Sequence, residues 1–520
     1  MKKKESKFIA GKEKRRTIII LLPVCVILFM MGILANCENP IIKQWYTPNI
    51  QSPATEQPTP KPTPDKPVDK PKAAFEGTLK LGILPAFTRH YELYGLRFIN
   101  TAGQMVNLDY YPLDSASGRW ESDVEPPNLM EAVIRIGSGA FFYLPVENTQ
   151  GDWNLATEII PIASAEELDA IRGGTRYSLD QHFIQVTTID LAAWSNWDPI
   201  GGTLNPFTGI FDGNGHNILN LSTSVTTPSQ KQGLFGSLGT GGKLENIHVV
   251  NGNVRGADGA GGICGESSGE ISNCSFAGLV RGVNHVGGIV GRSSDSGTMI
   301  MDCTNNGKVQ GTKQAGGIIG FMGRNGVIIA CENTGQVEGS WETGGIAGRS
   351  EYSAVFASCN RGTISAAENE TGGIIGYNVN ASVIACYNTA DIQGAGANIG
   401  GIIGKNEGVK AISACYNNSD VKGKGVHGWI IGNNDAGTGA VSACFWYGNA
   451  QTPINGIGTP PNRENAKPFG TSTNSPSEIW PQATTHAEWG TGDGGSGKWW
   501  KSLGNWNNGA NSELPVLYWE

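Results

Sequence analysis

Residues 316–348 read GGIIGFMGRNGVIIACENTGQVEGSWETGGIAG, a stretch that holds one full period of a motif found along much of the chain. A short glycine-rich motif opens and closes the stretch, and its last glycine recurs every 26 to 29 residues. The eight copies are GLFG at 233–236, GGICG at 261–265, GGIVG at 287–291, GGIIG at 316–320, GGIAG at 344–348, GGIIG at 372–376, GGIIG at 400–404 and GWIIG at 428–432. A fixed period of this length predicts a repeat architecture, in which each repeat packs on its neighbours.

Cysteines form a second column with the same period. Its members are Cys274, Cys303, Cys331, Cys359, Cys386, Cys415 and Cys444. An apolar residue stands three positions before each cysteine, as Ile328 does before Cys331. Since a three-residue step cannot keep both residues on one face of a regular strand, we predict a bend that turns both side chains inward. The column indicates a ladder of buried thiols and not a zinc site, because no histidine or second cysteine recurs beside it.

Each period holds three short extended segments divided by Gly and Asn turns. Such a unit is too small to fold alone and is well sized for one coil of a parallel solenoid. We therefore predict an all-β fold whose main body is a β-solenoid of about eight 28-residue coils. The paired glycines predict either close backbone packing or a positive φ at a corner. Trp429 replaces the second glycine in the last copy, which indicates that this constraint ends there.

The repeat region resembles the GLUG-motif repeats of bacterial surface adhesins, which also occur beside the protease domain of some immunoglobulin-A peptidases. The resemblance covers roughly residues 160–450, and FTGIFDGNGHNILN at 207–220 is similar to the first coil of that group. It implies a right-handed parallel β-helix and display on the cell surface. The resemblance assigns no catalytic residues to this chain. The sequence also lacks the His-Glu-x-x-His zinc motif expected of a zinc peptidase.

The N-terminus predicts export. Eight Lys and Arg residues within 2–16 precede an apolar stretch at 18–35, which is the pattern of an export signal. The stretch ends in Leu-Ala-Asn-Cys at 34–37, which resembles the lipobox of bacterial lipoproteins and implies acylation of Cys37. An uncleaved anchor is the alternative, because about eighteen apolar residues are just enough to span a bilayer. In both cases the rest of the chain lies outside, since the cationic flank stays inside.

Composition divides the chain into six parts. The predicted parts are an export signal with lipobox at 1–37, a Pro-rich linker at 38–73, a small β-sandwich domain at 74–150, an N-terminal cap with the opening coils at 151–232, the GLUG-like β-helix repeats at 233–450 and a Trp-rich C-terminal cap at 451–520. The linker favours extended polyproline II, which is typical of a stalk. Ser164 and Glu167 form the sequence pattern of a capping box, so we expect one short helix in the N-terminal cap.

The Trp-rich tail has two interpretations. As a cap it would cover the open last coil of the solenoid and bury its tryptophans. Alternatively, Trp499 and Trp500 would form a platform on which a sugar ligand stacks. They are the only ligand-binding residues that the sequence suggests.

Charge and composition limit the function. A net charge of −8 argues against nucleic acid as a partner, which would need a clustered basic face. Only Asp391 and Asp420 share a phase in adjacent coils, so we expect no catalytic residues, no metal, no cofactor and no enzymatic activity. We expect a lipid-anchored protein of the cell envelope, surface-exposed or periplasmic, that binds a protein or glycan ligand as an adhesin or interaction protein. The alternatives are a carbohydrate-active β-helix enzyme, either a polysaccharide lyase or a hydrolase, and a purely structural spacer.

Overall fold

The computed structural model of the chain describes most of its predicted β-rich regions. The described residues are 75–80, 91–99, 105–112, 117–122, 129–136, 140–149, 152–155, 159–172, 177–224, 230–294, 297–424, 427–435, 441–446, 457–459, 466–468, 489–494, 498–504 and 514–520. The predicted export signal, Cys37 and the Pro-rich linker lie outside these residues. None of the described helices is long and apolar enough to cross a bilayer.

The first domain is a closed seven-stranded barrel. Its strands are Phe75–Lys80, Tyr91–Ile99, Met105–Pro112, Ser117–Ser122, Leu129–Ile136, Ala140–Thr149 and Asp152–Leu155. The first strand pairs antiparallel with the fourth and parallel with the seventh, through Leu79 and Trp153. The sequence predicted a small sandwich here. The structure corrects this prediction, because pairing on both sides of the first strand closes the sheet and removes its open edges.

A short helix follows the barrel, as the capping box predicts. It spans Ala165–Asp169 and continues as the 3-10 turn Ala170–Arg172. The hydroxyl of Ser164 accepts a hydrogen bond from the Glu167 backbone nitrogen at 3.2 Å. The Glu167 carboxylate in turn accepts one from the Ala163 backbone nitrogen at 2.8 Å. These bonds satisfy donors that would otherwise be orphaned at the helix start.

Three parallel sheets form the solenoid, and each central coil contributes to all three. The eleven-stranded sheet consists of Ile159–Ile162, His182–Gln185, Ile210–Asp212, Lys243–Glu245, Glu270–Ser272, Met299–Met301, Val327–Ile329, Ala354–Phe356, Ser382–Ile384, Ile412–Ser413 and Val441–Ser442. The nine-stranded sheet consists of Phe235–Leu238, Cys264–Ser267, Val290–Ser293, Ile319–Met322, Ala347–Glu351, Ile375–Val379, Ile403–Glu407, Ile431–Asn434 and Ile457–Thr459. The parallel solenoid predicted from the repeats is thereby confirmed.

The third sheet, called the long sheet, has 22 strands because five of the coils cross it in three short pieces each, whereas the strands His248–Gly261 and Ser275–Gly287 cross it without a break. Its strands are Ile189–Asp190, Asn217–Leu219, Ser222–Ser224, His248–Gly261, Ser275–Gly287, Thr304–Asn305, Lys308–Gln310, Lys313–Gly316, Glu332–Asn333, Val337–Gly339, Trp341–Gly344, Cys359–Asn360, Ile364–Ala366, Thr371–Gly372, Tyr387–Asn388, Ile392–Gly394, Ile399–Gly400, Tyr416–Asn417, Val421–Gly423, His427–Gly428, Cys444–Trp446 and Ala466–Pro468. The strands Ile457–Thr459 and Ala466–Pro468 carry the solenoid beyond residue 450, into the region predicted to be only a cap.

Residues with positive φ make the corners between sheets. Those between the eleven-stranded and the long sheet are Asn246, Asn273, Asp302, Ala330, Ala357, Ala385, Ala414 and Ala443, with φ of 43° to 56°. Each of them separates an inward apolar residue from the next inward residue, as Ala330 separates Ile328 from Cys331. This is the bend that the three-residue step predicts. A left-handed residue interrupts the side-chain alternation of the strand, so both neighbours point into the core.

The cysteine column contains one serine. Cys359 pairs in register with Glu332 and Tyr387, which stand one place after the column. Ser358 occupies the column position, and its hydroxyl donates to the Phe356 carbonyl at 2.8 Å, as the Cys331 thiol does to the Ile329 carbonyl at 3.3 Å. The assignment of Cys359 to the column was therefore wrong by one residue. The other column members are buried, and burial raises the pKa of the Cys331 and Cys415 thiols well above the usual range.

Candidate interaction surfaces of the solenoid

The interior of the solenoid contains a row of buried asparagines, here called the asparagine ladder. Its members are Asn305, Asn333, Asn360, Asn388 and Asn417. Each of the first four donates from its amide nitrogen to the amide oxygen of the next, at 2.7 or 2.8 Å. All five also donate to a backbone carbonyl of their own turn, at 2.8 to 3.1 Å. The ladder satisfies its own polar groups and has no need of a ligand.

The glycine pairs make room for the asparagine ladder. A Cβ placed on Gly345 would lie 2.4 Å from the Asn360 side chain and 2.2 Å from the Gly373 carbonyl oxygen, so no larger residue fits without displacement. Gly345 has no positive φ, which leaves close packing as the reason for the pair. In the coil with the last copy of the glycine motif, Trp446 pairs with Asn417 and replaces the asparagine, and Trp429 replaces the glycine. The close packing of glycine against the asparagine ladder therefore ends in this coil, as the sequence predicted.

The outer surface of the nine-stranded sheet carries a row of charged, aromatic and polar side chains, here called the ladder face. It consists of Glu266, Arg292, Phe321, Arg349, Tyr377, Lys405 and Asn433, which pair in register from coil to coil. All seven are partly exposed. Side chains at equivalent positions of stacked coils stand about 4.8 Å apart, so the row runs straight along the solenoid.

Ion pairs and ring contacts fix the ladder face. The Arg349 guanidinium lies 2.8 Å from Glu342 and 2.6 Å from Glu351, and its centre is 4.4 Å from the Tyr377 ring. Lys405 also contacts this network, since its ammonium group is 2.6 Å from Glu407 and 5.2 Å from the centre of the same ring. Burial raises the pKa of Tyr377 to about 12, and its hydrogen bond to Glu407 adds to this. The hydrogen bond from Lys405 lowers the pKa of Glu407, so the carboxylate stays ionised.

Two histidines make contacts of the kind that catalytic sites use. His285 Nδ1 lies 2.5 Å from Asp258, whose other oxygen binds Lys231. His248 Nδ1 lies 2.8 Å from the Ser275 hydroxyl. The Ser275 hydroxyl contacts His248, whereas the Asp258 carboxylate contacts His285 and Lys231. The structure therefore does not join serine, histidine and carboxylate into one triad.

The outer surface of the eleven-stranded sheet carries an apolar patch. Its members are Met299, Val327, Ile329, Ala354, Phe356 and Ile384, all partly exposed and contributed by four adjacent strands. On the two strands directly before the patch the same positions are polar, as in Lys243 and Glu270. The patch was not predicted from the sequence. The signal was available, since MIM at 299–301 and VII at 327–329 are continuous apolar runs whereas KLE at 243–245 alternates.

The two tail tryptophans lie in different environments. Trp500 is fully buried and stacks on Trp489, with ring centroids 4.7 Å apart. Trp499 is partly exposed, and its ring centroid lies 6.1 Å from that of Tyr518. The pair does not present two open ring faces side by side. Among the described residues, no group of three His, Cys, Asp or Glu side chains could hold a metal ion.

No family model matches the chain. Halomucin from Haloquadratum walsbyi is 34% identical to it over 135 residues, which are 24% of this chain and 2% of halomucin. A provisionally named Gly-rich membrane protein from Evansella cellulosilytica is 34% identical over 124 residues, which are 22% of this chain and 14% of that protein. The chain thus matches only a small part of the length of these relatives.

Two solved structures align with parts of the chain. One is a provisionally named immunoglobulin A1 protease from Bacteroides ovatus, with 22% identity and a TM-score of 0.38 over 45% of this chain and 77% of that one. The other is named IgA1 protease, with 11% identity and a TM-score of 0.33 over 74% of this chain and 30% of that one. Both carry the name of an enzyme, so the expectation that this chain has no enzymatic activity is not supported and is withdrawn. Neither name transfers an activity to this chain.

Proposed function

We propose that this chain is an envelope-tethered binding protein that holds an extended neutral glycan along the ladder face of its solenoid. The alternation of cationic and aromatic side chains along this face carries the proposal. The side chains concerned are Arg292, Phe321, Arg349, Tyr377 and Lys405. Ion pairs and ring contacts hold them in place before any ligand arrives, which lowers the entropic cost of binding. Their straight row suits an extended polymer better than a compact ligand.

The chemistry of the ladder face favours a glycan over the other partners. A protein interface needs an apolar core, and this face has charged groups at its centre. A polyanion would be repelled by carboxylates such as Glu342, Glu351 and Glu407, which already neutralise the cations. A neutral sugar chain offers hydroxyl groups that both donate to carboxylates and accept from guanidinium groups.

Tethering to the envelope is the second part of the proposal. The cationic and apolar N-terminus supports export, and acylation of Cys37 would attach the chain to a membrane by a lipid. The Pro-rich linker would hold the folded part on the order of 60 Å from that membrane. The names of halomucin and of the Gly-rich membrane protein support a location at the cell surface or envelope.

A glycan array tests the binding proposal, with the soluble form from Ala74 onward and two variants. We expect wild type to bind a neutral glycan and Arg349→Ala to bind it at least about tenfold more weakly, which is about 1.4 kcal/mol. Arg281→Ala is the matched control, because Arg281 lies on the long sheet and makes a comparable bond to Gln310 at 2.9 Å. Equal weakening by both variants, or no binding of neutral glycans, contradicts the proposal. Reducing ends released from the same glycans would favour a carbohydrate-active enzyme instead.

A further inference from the structure

We propose that Trp341 and Tyr352 are the sugar-stacking side chains at the edges of the ladder face, and that they select a flat, β-linked glucan of the cellulose type. The inference rests on the proposed function, because it names the ligand of the same face. Among the described residues, these two are the only aromatic side chains that are exposed, at 36% and 44%. Single exposed rings are ordinary on protein surfaces, but these two belong to one coil and lie on either side of Arg349 in the chain.

The two carboxylates that bind Arg349 place one ring at each edge of the ladder face. The guanidinium lies 2.8 Å from Glu342 and 2.6 Å from Glu351. Glu342 directly follows Trp341, and Glu351 directly precedes Tyr352. Carboxylates and guanidinium groups form strong hydrogen bonds with hydroxyl groups, and aromatic rings cover apolar C–H surface. This coil therefore offers side by side the two kinds of contact that a pyranose ring can make.

The fold does not require an aromatic residue at either position. Lys313 pairs in register with Trp341 and is exposed as well, so a polar side chain suits this position. Tyr352 has a φ of 47°, and the equivalent corner residues of the adjacent coils are Asn325 and Asn380, with φ of 60° and 55°. Asparagine adopts this left-handed conformation more readily than tyrosine. A strained, exposed ring at this corner is the kind of local cost that marks a functional position.

A flat sugar chain fits this arrangement of rings and charges. In a glucan of the cellulose type successive units turn over, so the ribbon has apolar C–H surface on both faces and hydroxyl groups along both edges. A ribbon that follows the ladder face brings edge hydroxyls to the Arg349 network and leaves its two faces for the two rings. The α-linked counterpart coils and presents no flat face of this length. Arg324, whose guanidinium centre is 4.3 Å from the centre of the Tyr352 ring, holds that ring in place before the ligand arrives.

Calorimetric titration of the full chain tests the inference, in a mild detergent without a sugar headgroup. The ligands are cellopentaose and its α-linked counterpart maltopentaose, and we expect wild type to bind cellopentaose more tightly. Trp341→Lys and Tyr352→Asn introduce the residues found at the same positions of adjacent coils, and each should weaken cellopentaose binding at least about fivefold. Val250→Lys is the matched control, since Val250 is 39% exposed near the start of the strand His248–Gly261 of the long sheet, and it should bind like wild type.

Urea unfolding of the same variants separates binding from folding. Tyr352→Asn should be as stable as wild type or more stable, because asparagine suits the left-handed corner, while it binds more weakly. A variant that loses stability together with affinity would show that the ring is structural, and this would overturn the inference. Equal or tighter binding of maltopentaose would overturn the choice of ligand. If Arg349→Ala weakens binding and the two ring variants bind like wild type, the inference alone fails, whereas a wild type that binds no neutral glycan overturns the proposed function as well.

Discussion

At the scale of single residues, the asparagine ladder explains why glycine pairs and asparagines recur together. The amide of Asn360 contacts three neighbours at once: it accepts from Asn333, donates to Asn388 and donates to the Gly362 carbonyl. In a buried setting such linked bonds reinforce one another, and a missing member leaves its partners unsatisfied. Gly345 permits this geometry because it has no side chain to fill the same space.

Asn360→Ala should therefore destabilise the protein far more than the size of the change suggests. The substitution leaves one N–H of the Asn333 amide without its acceptor and the Gly362 carbonyl without its donor. Because both groups are buried, we expect a loss of about 3 kcal/mol in the free energy of unfolding. Urea denaturation of the variant and of wild type measures this loss.

Asn306→Ala is the control for the ladder variant. Asn306 directly follows the strand Thr304–Asn305, is exposed, and accepts a hydrogen bond from the Thr334 hydroxyl at 2.6 Å. A hydrogen bond at an exposed position contributes little to stability, so the free energy of unfolding of this variant should fall by less than about 1 kcal/mol. Equal losses in the two variants would mean that burial within the ladder adds nothing to the contribution of an asparagine.

The residue scale also shows where sequence reasoning reached its limit. The cysteine column could be predicted from spacing, but Ser358 and Cys359 are adjacent and both are small, so identity alone favoured the cysteine. Only the strand register places Ser358 in the column, where its hydroxyl makes the bond to the carbonyl two residues back that the thiols make elsewhere.

At the scale of elements, the corners decide how the strands are joined. Five of the eight corner residues between the eleven-stranded and the long sheet are alanines with φ of 43° to 56°. A left-handed conformation costs an L-residue with a Cβ roughly 1–2 kcal/mol. These alanines are held there by the packing of the inward residues on either side, such as Ile328 and Cys331.

Ala330→Gly should therefore behave unlike an ordinary alanine-to-glycine change. Removing the Cβ relieves the left-handed conformation, which offsets the greater chain entropy of glycine, so we expect stability to stay equal or rise by up to about 1 kcal/mol. Ala315→Gly is the control, because Ala315 is similarly buried but lies inside the strand Lys313–Gly316. Its free energy of unfolding should fall by at least about 0.5–1 kcal/mol. Thermal or urea unfolding compares the stabilities of the two variants. Equal losses of stability would contradict the explanation that Ala330 is held in an unfavourable left-handed conformation.

Elements also differ in how well the sequence predicts them. The bend before each column position and the short helix at Ala165–Asp169 follow from local spacing and were predicted correctly. The closure of the barrel was not, because it depends on the pairing of Leu79 with Trp153, two residues far apart in the chain. The apolar patch could have been predicted from the continuous apolar runs at 299–301 and 327–329.

At the scale of the whole molecule, a solenoid must prevent its ends from pairing with other chains. Proline stands in a terminal strand at each end: Pro161 in Ile159–Ile162 of the eleven-stranded sheet and Pro468 in Ala466–Pro468 of the long sheet. Proline cannot donate a ladder hydrogen bond and is confined to edge strands for that reason. That the Trp-rich tail covers the last coil remains a prediction.

Between these ends the coil is the unit of the molecule. Gly344 pairs in register with Gly372, so removal of residues 345–372 joins two equivalent positions and leaves the flanking coils in phase. The asparagine ladder loses Asn360 but regains its continuity, because Asn333 then faces Asn388. In an array of this kind stability is approximately a sum of coil and interface terms, so one coil fewer should shorten the solenoid without unfolding it.

The most direct measurement is the protease resistance and circular dichroism of two deletions. We predict that deletion of residues 345–372 leaves a folded, protease-resistant solenoid with the β-sheet spectrum of wild type. Deletion of the fourteen residues 352–365 should instead set glycine pairs against strand interiors and give a protein that is rapidly degraded. If the fourteen-residue deletion is as well folded as the whole-coil deletion, the 28-residue coil is not the structural unit and the account of this protein as a stacked solenoid fails.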